Sequence, residues 1–332
     1  MQKNTTLAGA LFAILTLLFS LPASAGALSC PADSARYAVV NVSVCNVRGE
    51  GRFTSGMETQ ALLGTPVRVM QYDGWYHIQT PDEYTGWVHR MVITPMTATQ
   101  LSEWNAADKV VVTALCGQTF TRPDEKSQSV SDVVAGCRLK LTGKHGRYYS
   151  VEYPDGRRAY ISKRIAMPLT SWRAGVSVEP DDIVKSAFSL MGVPYLWAGM
   201  STKGVDCSGF VRTVLFMHDV IMPRDAWQQA LIGERIVIAP DYSNLQPADL
   251  VFFGTPARGE QKEHVSHVGI YIGGGRFIHS LGDVHVGSFL PADSLYYDAF
   301  NTARLLYGGR VLPYINNVKE MTTTQTNAYY TK

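Results

Sequence analysis

The stretch Gly204-Val205-Asp206-Cys207-Ser208-Gly209-Phe210 decides how this chain is read, together with His267-Val268-Gly269-Ile270-Tyr271-Ile272 and the histidine at 279 that follow it. Apolar residues recur at helical spacing after Cys207, at Phe210, Val211, Val214 and Leu215. This predicts a helix that begins at the thiol, where free N–H groups and the positive dipole end favour a thiolate. Between residues 265 and 272 the pattern alternates, with Val268, Ile270 and Ile272 on one face and His267, Gly269 and Tyr271 on the other, as in a strand. Gly273, Gly274 and Gly275 read as a turn, and residues 276–280 as the returning strand. A loop with an odd number of residues sets His267 and His279 on one face as diagonal neighbours, whereas an even loop separates them. A thiol nucleophile, one imidazole as its base and a second imidazole orienting the first repeat the logic of the Ser-His-Asp triad in sulfur.

Outward from this centre, Lys3, the apolar run 7–21 and Ala23-Ser24-Ala25 read as an export signal over residues 1–25, so the mature chain is expected in the periplasm or outside the cell. An uncleaved anchor fits less well, because the run falls short of the roughly 20 residues a membrane span needs and ends in Pro22. The remaining length suffices for two or three domains. Lys and Arg number 30 against 28 Asp and Glu, so nothing in the charge favours a nucleic-acid partner. Five cysteines leave one over after pairing. Cys116 with Cys137 and Cys30 with Cys45 would keep each bridge local, connectivity being open, while Cys207 stands apart in the C-terminal half.

A weak repeat precedes the catalytic stretch. Gly64, Gly74 and Tyr76 recur 72 residues later as Gly136, Gly146 and Tyr148, and Gly86-Trp87-Val88 recurs at an offset of 73 as Ala159-Tyr160-Ile161. Both copies read as short alternating strands between Gly, Asp and Pro turns, which predicts two small all-β barrels at 36–96 and 108–168. Residues 178–313 change texture: a helix opened by Pro180-Asp181-Asp182 and closed by Gly192, the Cys207 helix, a helical segment at 226–232, then strands at 249–253, 265–272 and 276–279. Helices followed by an antiparallel sheet predict an α+β domain. The polar, Thr-rich residues 319–332 are expected to be disordered.

These residues carry a family resemblance. Pro194-Tyr195-Leu196-Trp197-Ala198-Gly199, the Cys207 stretch, Met222-Pro223-Arg224-Asp225, Ala248-Asp249-Leu250-Val251-Phe252-Phe253-Gly254 and the His267 stretch resemble, in order and spacing, the motifs of the NlpC/P60 cysteine peptidases. The resemblance implies a papain-like core that cleaves cell-wall peptides, with Cys207 as nucleophile, His267 as base, His279 as orienting residue and Tyr195 helping to hold the oxyanion. Two bacterial SH3-like barrels ahead of such a domain are similar to the γ-D-glutamyl-L-diamino-acid peptidases of the dipeptidyl-peptidase VI type. That likeness implies a first barrel recognising the free amine of an N-terminal L-Ala through Glu58, in Glu58-Thr59-Gln60-Ala61-Leu62, and Tyr84, in Tyr84-Thr85-Gly86-Trp87-Val88, with Asp206 and Ser208 completing the pocket. Glu58 and Asp206 together would clamp the ammonium through charge-assisted hydrogen bonds. Ala226 stands where the family often has Ser, which removes one hydrogen bond to substrate.

Four other readings compete, one of them a different thiol-acyl chemistry on the same core, amidase or acyl transfer, which would use the same catalytic residues and differ only in the substrate pocket, Glu58 and Tyr84 included. A wall-binding protein without activity needs no activated thiol. A murein endopeptidase acting on wall-attached stems would use the barrels as anchors. A metal hydrolase could draw on His264, His267, His279 and His285, but an offset of three along a strand turns His264 and His267 to opposite faces, and a His-Glu-x-x-His helix is missing. The expectation is an enzyme needing neither metal nor cofactor, with a peptidoglycan-derived peptide as substrate.

Overall fold

The computed structural model describes residues 36–331, so the export segment and Cys30 lie outside the described residues. Two seven-stranded antiparallel sheets come first. In the first the strand order is Met57–Leu62, Val44–Arg48, Thr85–His89, Trp75–Gln79, Pro66–Asp73, Tyr37–Val40, Ile93–Met96. In the second it is Ser129–Val134, Cys116–Phe120, Arg158–Ser162, Tyr148–Glu152, Arg138–His145, Lys109–Val112, Ala166–Pro168. Strand for strand the two topologies are the same, as the 72- and 73-residue offsets require. Gly64 and Gly136 recur because both turns need a positive φ, +84° and +89°. One match shifts: Asp73 pairs with Trp75 across Gly74, but His145 pairs with Tyr148 across two residues, Gly146 and Arg147, so the counterpart of Tyr76 is Tyr149, not Tyr148.

In the third domain the helices Pro180–Ser189, Cys207–Phe216 and Ala226–Gln229 accompany a six-stranded antiparallel sheet. Its order is Glu234–Ile236, Leu305–Arg310, Leu250–Thr255, His264–Gly273, Arg276–Leu281, Asp283–Ser288. Both faces of the sheet are apolar. Leu250, Val268, Ile270 and Ile278 pack against Phe210, Val214 and Leu215 of the Cys207 helix, and Val251, Phe253, Tyr271, Phe277 and Phe289 form a second, aromatic cluster. The third helix is shorter than the segment 226–232, and the strands Glu234–Ile236, Asp283–Ser288 and Leu305–Arg310 lie outside the sequence-based assignment.

The C-terminal residues are a strap, contrary to the disorder expected of them. Thr322–Thr323 pairs antiparallel with Val220–Ile221, and Met321 is fully buried. Thr324 Oγ1 accepts from Arg138 Nη1 at 3.0 Å and from Arg173 Nη2 at 2.7 Å, and bonds Asp219 of the catalytic domain. Further along, Asn327 Nδ2 donates to the Pro81 carbonyl at 2.9 Å and the Tyr329 hydroxyl to Gln79 at 2.9 Å. The strap therefore joins the first barrel, the second barrel and the catalytic domain. Its polar composition hid this, because Thr324 is held by buried charges and Asn327 and Tyr329 by a distant backbone carbonyl and amide, with, among the described residues, only Met321 entering an apolar core. Nor is the local Cys116–Cys137 disulfide formed: both are free thiols, and Cys45 and Cys137 are buried in different barrel cores, while the expected Cys30–Cys45 pairing falls on a residue outside the described ones.

Deleting residues 322–332 should therefore lower the thermal unfolding midpoint by several degrees, at about 2–4 °C per kcal/mol lost. An unchanged midpoint in a thermal scan would return the segment to the status of a tail.

Candidate active site

The nucleophile is placed by a cap and by glycines. Asp206 is the N-cap of the helix and accepts from the Gly209 N–H at 2.7 Å, so Cys207 is the first helical residue. Gly209 is required: a Cβ there would lie 1.9 Å from the Gly199 carbonyl oxygen, which ties the Pro194–Gly199 motif onto the first turn. The Asp206 carboxylate also accepts from Ser208 Oγ (3.3 Å), the Ala198 N–H (2.9 Å) and both terminal nitrogens of Arg224. Arg224 Nη1 in turn donates to Ser208 Oγ at 2.8 Å.

This surrounding reverses the expected effect of the helix end. Burial, and after it the Asp206 charge, pushes the Cys207 thiol up to about 11, against opposing hydrogen bonds from the Ser208 and Val268 peptides. The resting nucleophile is a neutral thiol that needs a base at the moment of attack.

That base is in the hairpin. His267 Nε2 and His279 Nδ1 are 2.8 Å apart, with the rings in a T-shaped arrangement. The Gly274-Gly275 turn holds two residues between the paired Gly273 and Arg276, an even loop that by itself would separate the histidines. A register shift between Tyr271 and Gly273 leaves Ile272 as a bulge, restores the parity, and brings Gly269 opposite His279. Burial drives His267 down to about 4, with Arg304 adding to the effect and Asp298 opposing it. Since His267 Nε2 faces His279, its Nδ1 is the nitrogen left to take the thiol proton. Tyr195 is half-buried, and burial followed by the nearby Cys207 and Asp206 holds its hydroxyl up near 12, so it stays a proton donor.

A second bulge corrects the metal argument. Phe253 pairs with His267 and Thr255 with His264, so Ser266 is the extra residue and His264 falls on the same face as His267. Among the described residues there is nevertheless no group of three His, Cys, Asp or Glu side chains able to hold a metal.

The first barrel meets the catalytic domain beside this centre. Gln60 Oε1 accepts from the Met200 N–H at 3.0 Å, and Asp82 forms a buried ion pair at 3.0 Å with Arg212 of the Cys207 helix. Two residues beyond Asp82, the Tyr84 hydroxyl donates to Asp225 Oδ2 at 3.4 Å. Burial, and then the charges of Asp225 and Glu58, raise Tyr84 to about 12, which puts Glu58 in the same cluster. Glu58 itself is exposed and free to receive a cation. Asp206 is not free. Its two oxygens already take five donors, so it forms the floor of the site with Ser208 rather than one jaw of a clamp. Arg224 and Asp225 are the site residues that sequence reasoning quoted without assigning a role. Their signal was the adjacent Arg-Asp pair, whose partners lie 18 residues upstream and in another domain.

Residues 192–304 match the NlpC/P60 family, and residues 47–91 match the bacterial dipeptidyl-peptidase Sh3 domain. The γ-D-glutamyl-L-lysine dipeptidyl-peptidase of Bacillus cereus is 33% identical over 233 residues, 68% of this chain and 67% of that protein. The enzyme of the same name from Bacillus subtilis is 27% identical over 233 residues, 68% of this chain and 72% of that protein. An NlpC/P60 family protein of known structure from Bacillus cereus shares the fold, with a TM-score of 0.69 at 24% identity over 83% of this chain and all of that one.

A neutral thiol beside a neutral imidazole has a pH signature. His267 loses its lone pair when protonated, so kcat/KM should fall only as the pH drops through about 4, well below the ordinary histidine range. Alkylation of Cys207 by iodoacetamide, measured in a Cys116→Ser background because Cys116 is exposed, should climb with pH toward about 11. Fast alkylation independent of pH between 5 and 8 would instead mean a preformed thiolate–imidazolium pair.

Proposed function

The chain belongs to the NlpC/P60 family of cysteine peptidases, and on that premise we propose that it hydrolyses the bond between γ-D-Glu and a diamino acid, L-lysine or diaminopimelate, in peptidoglycan stem peptides that carry a free N-terminal L-Ala. As the Cys207 sulfur attacks the γ-carbonyl carbon, His267 Nδ1 takes the thiol proton and the carbonyl oxygen becomes an oxyanion that accepts from the Tyr195 hydroxyl. Collapse breaks the C–N bond, His267 passes its proton to the leaving amine, and a thioester remains. Water, giving a proton to His267, then attacks the thioester, releasing L-Ala-γ-D-Glu and the thiol.

The observation that carries the reading is the seating of Tyr84 of the first barrel against Asp225 of the catalytic domain, with Glu58 close enough for its charge to bear on the same phenol. An ammonium group entering there meets Glu58 and Asp225, two carboxylates whose charges both bear on the Tyr84 phenol, over a floor that Arg224 has already neutralised at Asp206. A barrel serving only as an anchor would not need to contribute side chains to the Arg224-Asp225 edge of the site. The names of the Bacillus relatives, dipeptidyl-peptidases, agree with release of a two-residue unit. Export to the periplasm or cell exterior belongs to the same proposal and rests on residues 1–25.

The test is a pair of peptides, L-Ala-γ-D-Glu-L-Lys and its N-acetylated form. Acetylation removes the charge and should cut kcat/KM on the order of 100-fold. Glu58→Gln should slow cleavage of the free peptide yet leave the alkylation rate of Cys207 unchanged. Equal rates on the two peptides would reject recognition of the amino end and favour a murein endopeptidase.

A further inference from the structure

The tautomer of His279 decides whether His267 can serve as a base. Two hydrogen patterns satisfy the 2.8 Å contact between them. In one, His267 Nε2–H donates to a bare His279 Nδ1, and His267 Nδ1 keeps its lone pair for the thiol proton. In the other, His279 Nδ1–H donates to His267 Nε2, and His267 Nδ1 carries a hydrogen and can accept nothing. The difference is settled at the far nitrogen of His279. That nitrogen, Nε2, is wholly buried and has no hydrogen-bond partner. Yet a carboxylate approaches it: Asp298 Oδ2 stands 3.7 Å away.

The carboxylate is held for that position. Asp298 precedes the short helix Ala299–Thr302; its Oδ1 accepts from the Asn301 N–H at 2.9 Å and its Oδ2 from Asn301 Nδ2 at 2.6 Å, with Asn301 itself fully buried. Its own N–H donates to the Ser288 carbonyl at 2.9 Å. The other charged or titratable groups facing the two imidazoles offer no such acceptor. His285 lies directly across the strands from His279 with ring centroids 4.4 Å apart, but its Nδ1 is turned to Asp283 at 2.9 Å. Arg304 bears on His267 as a cation, and Asp206 is saturated by Arg224 and the helix cap.

We propose that Asp298 is a positioning residue of the reaction: its carboxylate selects the Nε2–H tautomer of His279, and through it leaves His267 Nδ1 as the basic nitrogen. A separation of 3.7 Å is longer than a hydrogen bond. Catalytic hydrogen bonds in ligand-free enzymes are commonly long and tighten in the complex, and here positive charge arriving on His267 draws the carboxylate toward His279. The inference rests on the cysteine-peptidase reading of Cys207 and His267 but not on the choice of stem-peptide substrate.

Two readouts test it, one independent of substrate. In long-range ¹H–¹⁵N spectra of the whole protein at neutral pH, His279 should show the Nε2–H tautomer, and Asp298→Ala should shift it toward a mixture. With the free tripeptide, Asp298→Ala should lower kcat roughly 10-fold at nearly constant KM. Asp298→Asn keeps one oxygen for the Asn301 N–H cap but sets an NH2 where Oδ2 faced His279 Nε2, so it preserves the helix start while losing the acceptor that selects Nε2–H, and its tautomer should shift as well. It also removes the charge that supports protonated His267, so its acid limb should move to lower pH. Failure of the wild type to cleave the peptide would overturn the substrate assignment and leave the tautomer measurement standing. The proposal is overturned if folded Asp298→Ala and Asp298→Asn keep the wild-type tautomer, acid limb and kcat within about twofold; should the alanine protein not fold, the asparagine spectra and pH profile decide alone.

Discussion

The buried pair between Asp206 and Arg224 is the contact on which the site depends. One carboxylate caps the nucleophile helix, anchors the Ala198 peptide of the preceding motif, and holds Arg224, whose neighbour Asp225 faces Tyr84 of the first barrel. A charge in this environment is tolerable only when fully paired, and removing one partner of such a pair costs about 3–5 kcal/mol. The same carboxylate also sets the chemistry of the thiol: its charge, added to burial, keeps Cys207 protonated at rest and hands activation to His267. A single interaction thus fixes where the nucleophile stands, what it needs, and where the first barrel must dock.

The barrels are part of the enzyme rather than cargo on a linker. Asp82 and Arg212 form a buried pair between the loop that carries Tyr84 and the helix that carries Cys207. The C-terminal strap holds the loop from the other side through Asn327 and the Pro81 carbonyl. Arg138 of the second barrel meets Asp219 of the catalytic domain in a third buried pair. Anchored at Pro81 and Asp82, the loop presents Tyr84 to Asp225 of the catalytic domain.

Much of this was legible in the residues themselves, for physical reasons that also mark the limits. Strand parity could bring His267 and His279 together, because side-chain direction alternates strictly along a strand. It could not foresee that the loop is even and that a bulge at Ile272 compensates, nor that a second bulge at Ser266 turns His264 to the same face. The barrel repeat was visible as spaced glycines, since the turns at Gly64, Gly74, Gly136 and Gly146 all take a positive φ, which glycine adopts most readily. The strap was invisible because Thr324, Asn327 and Tyr329 look like solvated residues until their distant partners are known. Asp206 was assigned to substrate for a similar reason: the pairing with Arg224 is made by folding, and only the list of its donors shows that no lone pair is left. The helix dipole suggested a thiolate, but burial and an adjacent carboxylate outweigh it, a comparison of magnitudes that sequence order alone does not contain.

In the proposed reaction the amino end of the substrate is bound at the seam between the first barrel and the catalytic domain. The most direct measurement is a crystal structure of Cys207→Ala with the uncleaved tripeptide L-Ala-γ-D-Glu-L-Lys. The ammonium nitrogen should lie within hydrogen-bond distance of the Glu58 carboxylate, beside Tyr84, and the γ-carbonyl carbon over position 207. An amino group directed into bulk solvent, with Glu58 untouched by the ligand, would contradict this placement.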